Sequence, residues 1–127
     1  MAFDWAELLA VAEYLHTTPA PTCTREALLR SVVGRAYYAA YGVARQYAAQ
    51  HLSFRVHGQP DDHERLPGRF ISHGLPRVGV NLQDLRFWRN ECDYADAVAN
   101  LERTAVEALE RARLIVDELA ARRPPSP

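Results

Sequence analysis

The chain has 127 residues, of which 48% are hydrophobic and 24% charged, with a formal net charge of −1. That suits one domain with one core and is too apolar for disorder. No run approaches the ~20 apolar residues of a membrane span. Met1-Ala2-Phe3-Asp4 lacks the basic-then-apolar order of a secretory signal. The expectation is therefore a cytoplasmic protein without membrane association, with Cys23 and Cys92 as reduced thiols. The small total charge makes no electrostatic case for nucleic acid, so any such case has to be local. All 15 basic residues are arginine, the side chain suited to planar contacts with phosphate or carboxylate. A GC-rich genome explains the missing lysine better than a functional preference does. The histidines are scattered, no Cys or His pair has zinc-ligand spacing, and no Gly-rich phosphate loop is present. No metal or cofactor is expected.

Phe3 to about His16 reads as the first helix, capped by Asp4 with Glu7 three residues on. Phe3, Leu8, Val11, Ala12 and Leu15 share its broad apolar face, with Trp5, Leu9 and Tyr14 near the edges. Thr17-Thr18-Pro19-Ala20-Pro21 stops it. Thr22 or Thr24 caps a long second helix that runs to about Leu52. Leu29, Val33, Tyr37, Ala40, Ala44 and Tyr47 form one apolar face of this helix. Leu28, Val32, Ala36, Ala39 and Val43 form another, leaving a narrow polar stripe of Ser31, Arg35, Tyr38, Gly42 and Arg45. So wide an apolar surface has to be covered on most sides, which makes this the central helix. Gly34 and Gly42 each cost roughly 1 kcal/mol against alanine inside a helix. They point to close approach by a neighbouring helix or a second subunit, or simply to glycines tolerated in a buried helix.

Ser53 to Asp62 reads as a loop. A short third helix follows to Ser72, capped by Asp61 or Asp62, weakened by Pro67 and Gly68, with Leu66, Phe70 and Ile71 buried. His73-Gly74-Leu75-Pro76 breaks the chain. Asn81 caps a fourth helix with Leu82, Leu85, Trp88, Cys92 and Ala95 on its inner stripe. The fifth, about Ala97 to Arg122, buries Val98, Leu101, Ala105, Ala108, Ala112, Ile115 and Leu119. Outside it carries Glu107–Arg111 and Glu118–Arg122 at i,i+4. No segment alternates at period two. The sequence predicts an all-α antiparallel, up-and-down bundle of about five helices. One domain spans residues 1–122, and residues 123–127 are a disordered Pro-rich tail.

Within the fourth helix, Arg86, Asn90, Asp93 and Tyr94 fall near one side, and Arg89 and Asp93 are spaced to pair. Taken alone this is a solvated face with an internal ion pair of little worth. Together with the second helix it acquires another reading. Ser31-x-x-Gly34-Arg35-Ala36-Tyr37-Tyr38-Ala39-Ala40-Tyr41, followed by Leu85-Arg86-x-x-Arg89-Asn90-x-x-Asp93-Tyr94, resembles a small stand-alone HEPN domain over roughly Phe3 to Leu119. The resemblance implies a homodimeric helical bundle that is an RNA- or nucleotide-associated component of a toxin–antitoxin or defence-type system. A nucleotidyltransferase-type antitoxin is the partner it implies. Many members are metal-independent ribonucleases; others are non-catalytic RNA-binding or interaction modules.

Carried over by position, Arg89 matches the motif arginine and Asn90 its polar neighbour. The histidine expected beyond them is missing, with Tyr94, Ala95 and Asp96 at its allowed positions. A tyrosine, with an ordinary pKa near ~10, is a poor base at neutral pH but can donate a hydrogen bond to phosphate. The candidate catalytic residues are Arg89, Asn90 and Tyr94. The candidate nucleic-acid-binding residues are Arg35, Tyr38, Arg86 and Arg89. The reading is a weak or degenerate metal-independent ribonuclease, and the alternative is a non-catalytic helical protein-interaction module. His57, His63 and His73 lie within reach of the cleft but read as satisfied loop or surface residues. Tyr37, Tyr38, Tyr41 and Tyr47 read as core and interface rather than as a base-stacking platform. A functional site requires a concave, cationic cleft at Arg89, Asn90 and Tyr94. An interaction module would instead pair them with one another or with Asp93 and Glu91.

Overall fold

The computed structural model describes residues 2–19 and 22–122, and the expected tail at 123–127 lies outside them. Among the described residues there is no strand. The elements are α1 (Glu7–Thr17), α2 (Arg25–His51), α3 (Asp61–Ser72), α4 (Pro76–Tyr94) and α5 (Leu101–Arg122), an all-α helical bundle. At 27 residues α2 is the longest helix, about 40 Å end to end, and it packs against all four others. Thr24 starts it, with its hydroxyl oxygen accepting the Ala27 N–H at 3.0 Å, an N-cap worth about 1 kcal/mol. Both apolar faces read from the sequence are buried, with Leu28 half-buried at one end, and Tyr37 is the largest fully enclosed side chain.

The helix ends depart from the sequence reading for local reasons. α1 begins at Glu7 rather than Phe3. Asp4 does accept the Ala6 N–H at 3.1 Å, and its carbonyl accepts from Glu7 at 3.0 Å, but these bonds close a turn ahead of the helix. That turn lays Trp5 over Gly42, where a β-carbon would overlap the indole. The close approach expected at Gly42 therefore comes from the segment before α1. It also sets the roll of α1: Leu9 and Ala12 are buried, whereas Phe3 and Val11 are exposed. Gly34 has no such neighbour.

α3 starts behind Pro60 with no side-chain cap. Leu66 and Phe70 are buried, but Ile71 is 42% exposed because it lies across Gly79 of α4 rather than in the core. α4 begins at Pro76, not at Asn81. Gly74, at φ +77, makes the tight turn, and a proline in the first helical turn gives up an N–H that has no partner there anyway. Asn81 instead accepts from Arg111 of α5 at 3.2 Å. α5 starts at Leu101 rather than Ala97, after Asn100 in the left-handed region at φ +55. Its inner face is buried as expected, with Val98 half-buried ahead of it. Glu118 and Arg122 pair at 3.5 Å. Glu107 pairs with Arg103 instead of Arg111, because Arg111 reaches Asp84 across the interface with α4.

Gly42→Ala is expected to destabilise the fold by about 1–3 kcal/mol through overlap with Trp5, although helix propensity alone favours alanine by about 1 kcal/mol. Val33→Asp should cost about 3 kcal/mol or more, since it strands a carboxylate in the core. Urea denaturation followed by circular dichroism measures both. A neutral or stabilised Gly42→Ala protein would mean that Trp5 does not lie on α2.

Candidate functional site

Arg86, Arg89 and Asn90 stand at i, i+3 and i+4 of α4 and therefore share a face. Tyr38, Tyr41 and Arg45, at i, i+3 and i+7, share a face of α2. With His63 from α3 and Tyr94 at the end of α4, they line an open cleft of about 560 Å³. Its cations are Arg45, Arg86 and Arg89. Its one lining carboxylate, Asp62, is already engaged with Arg65.

The Arg89 side chain is only 12% exposed. Its guanidinium carbon sits 5.1 Å from the centre of the Tyr37 ring and 5.5 Å from that of Tyr38. Such cation–ring contacts contribute about 0.5–2 kcal/mol, more when desolvated. Asp93, at 3.4 Å from Arg89, is the one carboxylate paired with either arginine among the described residues. The Nε atoms of Arg86 and Arg89 are buried with no partner among those residues. Two partly buried guanidiniums with spare donors form a surface suited to an anion with several oxygens.

His63 reaches this cleft because the loop before α3 is stapled down. The Asp62 carboxylate accepts the His57 N–H at 3.1 Å, the Gly58 N–H at 2.8 Å and the Arg65 guanidinium at 2.6 Å. Burial alone would oppose its charge. The bonds from His57, Arg65 and Gly58 outweigh burial and hold the carboxyl below its ordinary range. His57, Asp61 and Asp62 are close enough to suggest metal ligands. The Asp62 oxygens are, however, taken up by N–H groups and Arg65, so the cluster works as a loop staple. The next residue, His63, is thereby fixed in the first turn of α3. Its Nδ1 and the Tyr37 hydroxyl share a hydrogen bond at 2.5 Å, and its ring stacks on Tyr41 with centres 3.9 Å apart and planes 8° apart.

Burial lowers the His63 pKa, and Arg89 and Arg86 lower it further, so the imidazole is neutral near pH 7. Burial pushes the Tyr37 hydroxyl well above its ordinary value, so it keeps its proton. Burial likewise raises the Cys92 thiol to about 11, which leaves it unreactive as a nucleophile.

The structure brings together Tyr38, Arg86, Arg89, Asn90 and Tyr94 from the sequence-predicted set. Tyr94 stands at the rim, 78% exposed. Arg35 does not belong with them. It lies one helical turn before Tyr38 and lines a second cavity, to which Tyr38 also contributes. His63, read as a satisfied loop or surface residue, is indeed satisfied by Tyr37 but stands in the first turn of α3 and faces the cleft rather than lying in a loop. A helix starting at Asp61 puts residues 63, 66 and 70 on one inward face, and that phase was the signal available in the sequence. His57 stays beside Asp61 and Arg65, and His73 bonds the Arg69 carbonyl at the end of α3. Tyr37, Tyr41 and Tyr47 are core residues, as read, although Tyr41 also forms the floor under His63.

Arg30 secures the far end of α4. It donates to the carbonyls of Cys92 at 3.0 Å, Ala95 at 2.7 Å and Asp96 at 3.2 Å. These are carbonyls at and just beyond a helix C-terminus, where a cation is favoured by the helix dipole. Comparison with family models, curated proteins and solved structures gives no match for this chain.

The depressed Asp62 pKa carries a sign for acid stability. Its contribution is fully present above the unfolded value of ~3.9 and is lost as pH falls through the lower folded value. Asp62→Asn is expected to lower the melting temperature at neutral pH and to flatten the acid limb of the stability curve. Thermal melts across that range check both. Unchanged acid sensitivity would show that Asp62 does not hold the loop.

Proposed function

We propose that this chain is a HEPN-like, RNA-associated domain whose cleft binds an RNA phosphate and supports weak metal-independent cleavage. The observation that carries the reading is the meeting of Arg86, Arg89 and a neutral imidazole, His63, in one open cleft. The HEPN assignment rests on the motif segments of α2 and α4. So do the homodimer, the toxin–antitoxin or defence-type setting and the nucleotidyltransferase-type partner.

The chemistry needs no metal. In one tautomer Tyr37 donates to Nδ1 and the other ring nitrogen of His63 carries the proton; the reaction draws on the alternative, in which Nδ1 donates to the Tyr37 oxygen and that other nitrogen has a free lone pair. A ribose 2′-hydroxyl gives its proton to that nitrogen as its oxygen attacks the adjacent phosphorus. Arg86 and Arg89 offset the charge that grows on the non-bridging oxygens, commonly the largest contribution in such catalysis. The bond from phosphorus to the 5′ oxygen breaks, and that oxygen takes a proton from water. The products are a 2′,3′-cyclic phosphate and a 5′-hydroxyl end. His63 thus occupies the role that the motif histidine, absent at Tyr94, would have had.

One observation favours the alternative, a non-catalytic interaction module: Arg89 does pair with Asp93. That pair leaves Arg86 and the cleft itself available.

The test is RNA binding and cleavage in EDTA. Arg86→Ala and Arg89→Ala should each weaken RNA binding and shallow its salt dependence by about one phosphate contact. His63→Ala should retain binding and lose about 10²–10⁴-fold in cleavage rate, while Tyr94→Phe changes the rate little. Cleavage by wild type should rise with pH through a value below the ordinary histidine pKa. Burial lowers this value most, Arg89 and Arg86 of α4 and Arg45 of α2 lower it further, and Asp62 of α3 opposes them, while Tyr37, Tyr38 and Tyr41 of α2 face the ring. Absence of any RNA binding would favour the interaction module.

A further inference from the structure

Four glycines lie within helices, and their surroundings differ. Gly42 is covered by Trp5 and Gly79 by Ile71, so both are required by close packing. Gly68 is exposed to solvent. Gly34 is half-buried in the middle of α2, yet a β-carbon there would meet nothing within 4 Å. Packing does not require this glycine, and helix propensity opposes it. It opens instead on a cavity of about 380 Å³, a size ordinary for a small-molecule site.

The walls of this cavity have a chemistry of their own. Tyr38 lines both it and the cationic cleft, so the two adjoin at this residue. Asp93 lines it and is tied to Arg89 of the cleft at 3.4 Å. Ser31, also lining it, donates its hydroxyl hydrogen to the Ala27 carbonyl at 3.2 Å, which leaves its oxygen as an acceptor. Arg30 on another side spends its guanidinium on carbonyls of the α4 end, so it shapes the wall rather than offering charge. The cavity therefore presents an aromatic side, two acceptors (the Asp93 carboxylate and the Ser31 oxygen) and one donor, the exposed Arg35 guanidinium, which suits a base that pairs an amino group with a ring carbonyl.

We infer that the cavity at Gly34 holds a nucleobase bearing an exocyclic amino group, stacked on Tyr38 and donating to Asp93, next to a phosphate held by Arg86 and Arg89. The inference rests on the phosphate-binding reading of the cleft and adds a base preference to it. Cytosine meets the requirement through its 4-amino group, a pairing that acidic side chains make with this base. Uracil presents a carbonyl oxygen at the same place, which faces the Asp93 carboxylate unfavourably. Stacking on an aromatic ring is common to all bases and gives affinity without choice; Asp93 supplies the choice.

The experiment compares oligo(rC) and oligo(rU) eight-mers by fluorescence anisotropy, with the full chain in EDTA. Wild type is expected to prefer oligo(rC) by about fivefold or more. Gly34→Leu fills the cavity and should bring the ratio of the two affinities close to one. Gly34→Ala, whose added carbon has room, serves as the second variant: it should raise the melting temperature and reduce the ratio partially. A gain in stability together with a loss of preference is not what a purely structural role gives. Arg86→Ala should weaken both oligonucleotides and leave the ratio in place. The inference is overturned if wild type binds both equally through Arg86, or if Gly34→Leu retains the preference. It is also overturned if Gly34→Leu instead dissociates a dimer seen by sedimentation, since the cavity is then a subunit contact. In each of these cases the phosphate-binding cleft stands. If neither oligonucleotide binds wild type, the cleft reading and the base site fall together.

Discussion

The contact on which the cleft depends is the Arg89 guanidinium lying against the rings of Tyr37 and Tyr38. A cation this far from water costs several kcal/mol unless something answers its charge. Here two ring faces and Asp93 answer it in part, and the buried Nε has no partner among the described residues. The contact requires α2 to show Tyr37 and Tyr38 to α4, and α4 to turn Arg89 toward α2, so it fixes the roll of the two helices. Other arginines hold α4 from different directions. Arg30 closes its C-terminal carbonyls, and Arg111 reaches Asp84 and Asn81 while sitting 5.4 Å above the Trp88 ring. A helix anchored in this way can present Arg86, Arg89 and Asn90 at fixed positions.

The other half of the cleft depends on a loop made stiff. Ser53 and Gly58 take up left-handed backbone conformations. Asp62 gathers two loop N–H groups, Arg65 bonds the Arg55 carbonyl, and Arg69 bonds that of Leu52. The ring of Phe54 lies under Arg65 at 4.7 Å. Without these bonds the first turn of α3 would have no defined place, and neither would His63. Burial and two neighbouring guanidiniums then keep the imidazole neutral. In the proposed reading the same cations that keep the imidazole unprotonated would also draw a phosphate.

How much of this the sequence shows depends on how local each feature is. α2 was legible because its apolar pattern runs unbroken from Leu28 to Tyr47, and its burial follows from that pattern alone. The start of α4 was not, because Pro76 looks like a breaker until Gly74 is known to make the turn before it. α1 was displaced because Asp4 makes a turn whose bonds resemble those of a cap. Arg86, Arg89 and Asn90 were legible as a group since a single helix sets their spacing. His63 was not: its partner Tyr37 lies on another helix, and the hydrogen bond exists only once α3 has packed against α2. Arg35 differs in its placement. It belongs to the right helix and the right motif segment, but one turn of rise carries it beyond Tyr38 into the neighbouring cavity.

Holding a neutral imidazole beside two unsaturated guanidiniums is useful if an anion is to come between them. The direct measurement is the titration of His63 followed by NMR of its ring, in the free protein and with a short RNA whose 2′-hydroxyls are methylated to prevent cleavage. The account predicts a pKa below the ordinary histidine value of ~6.5 in the free protein. It predicts a rise when RNA binds, as the phosphate offsets the charges of Arg86 and Arg89. A His63 pKa that starts at the ordinary value, or that does not move on RNA binding, would contradict it.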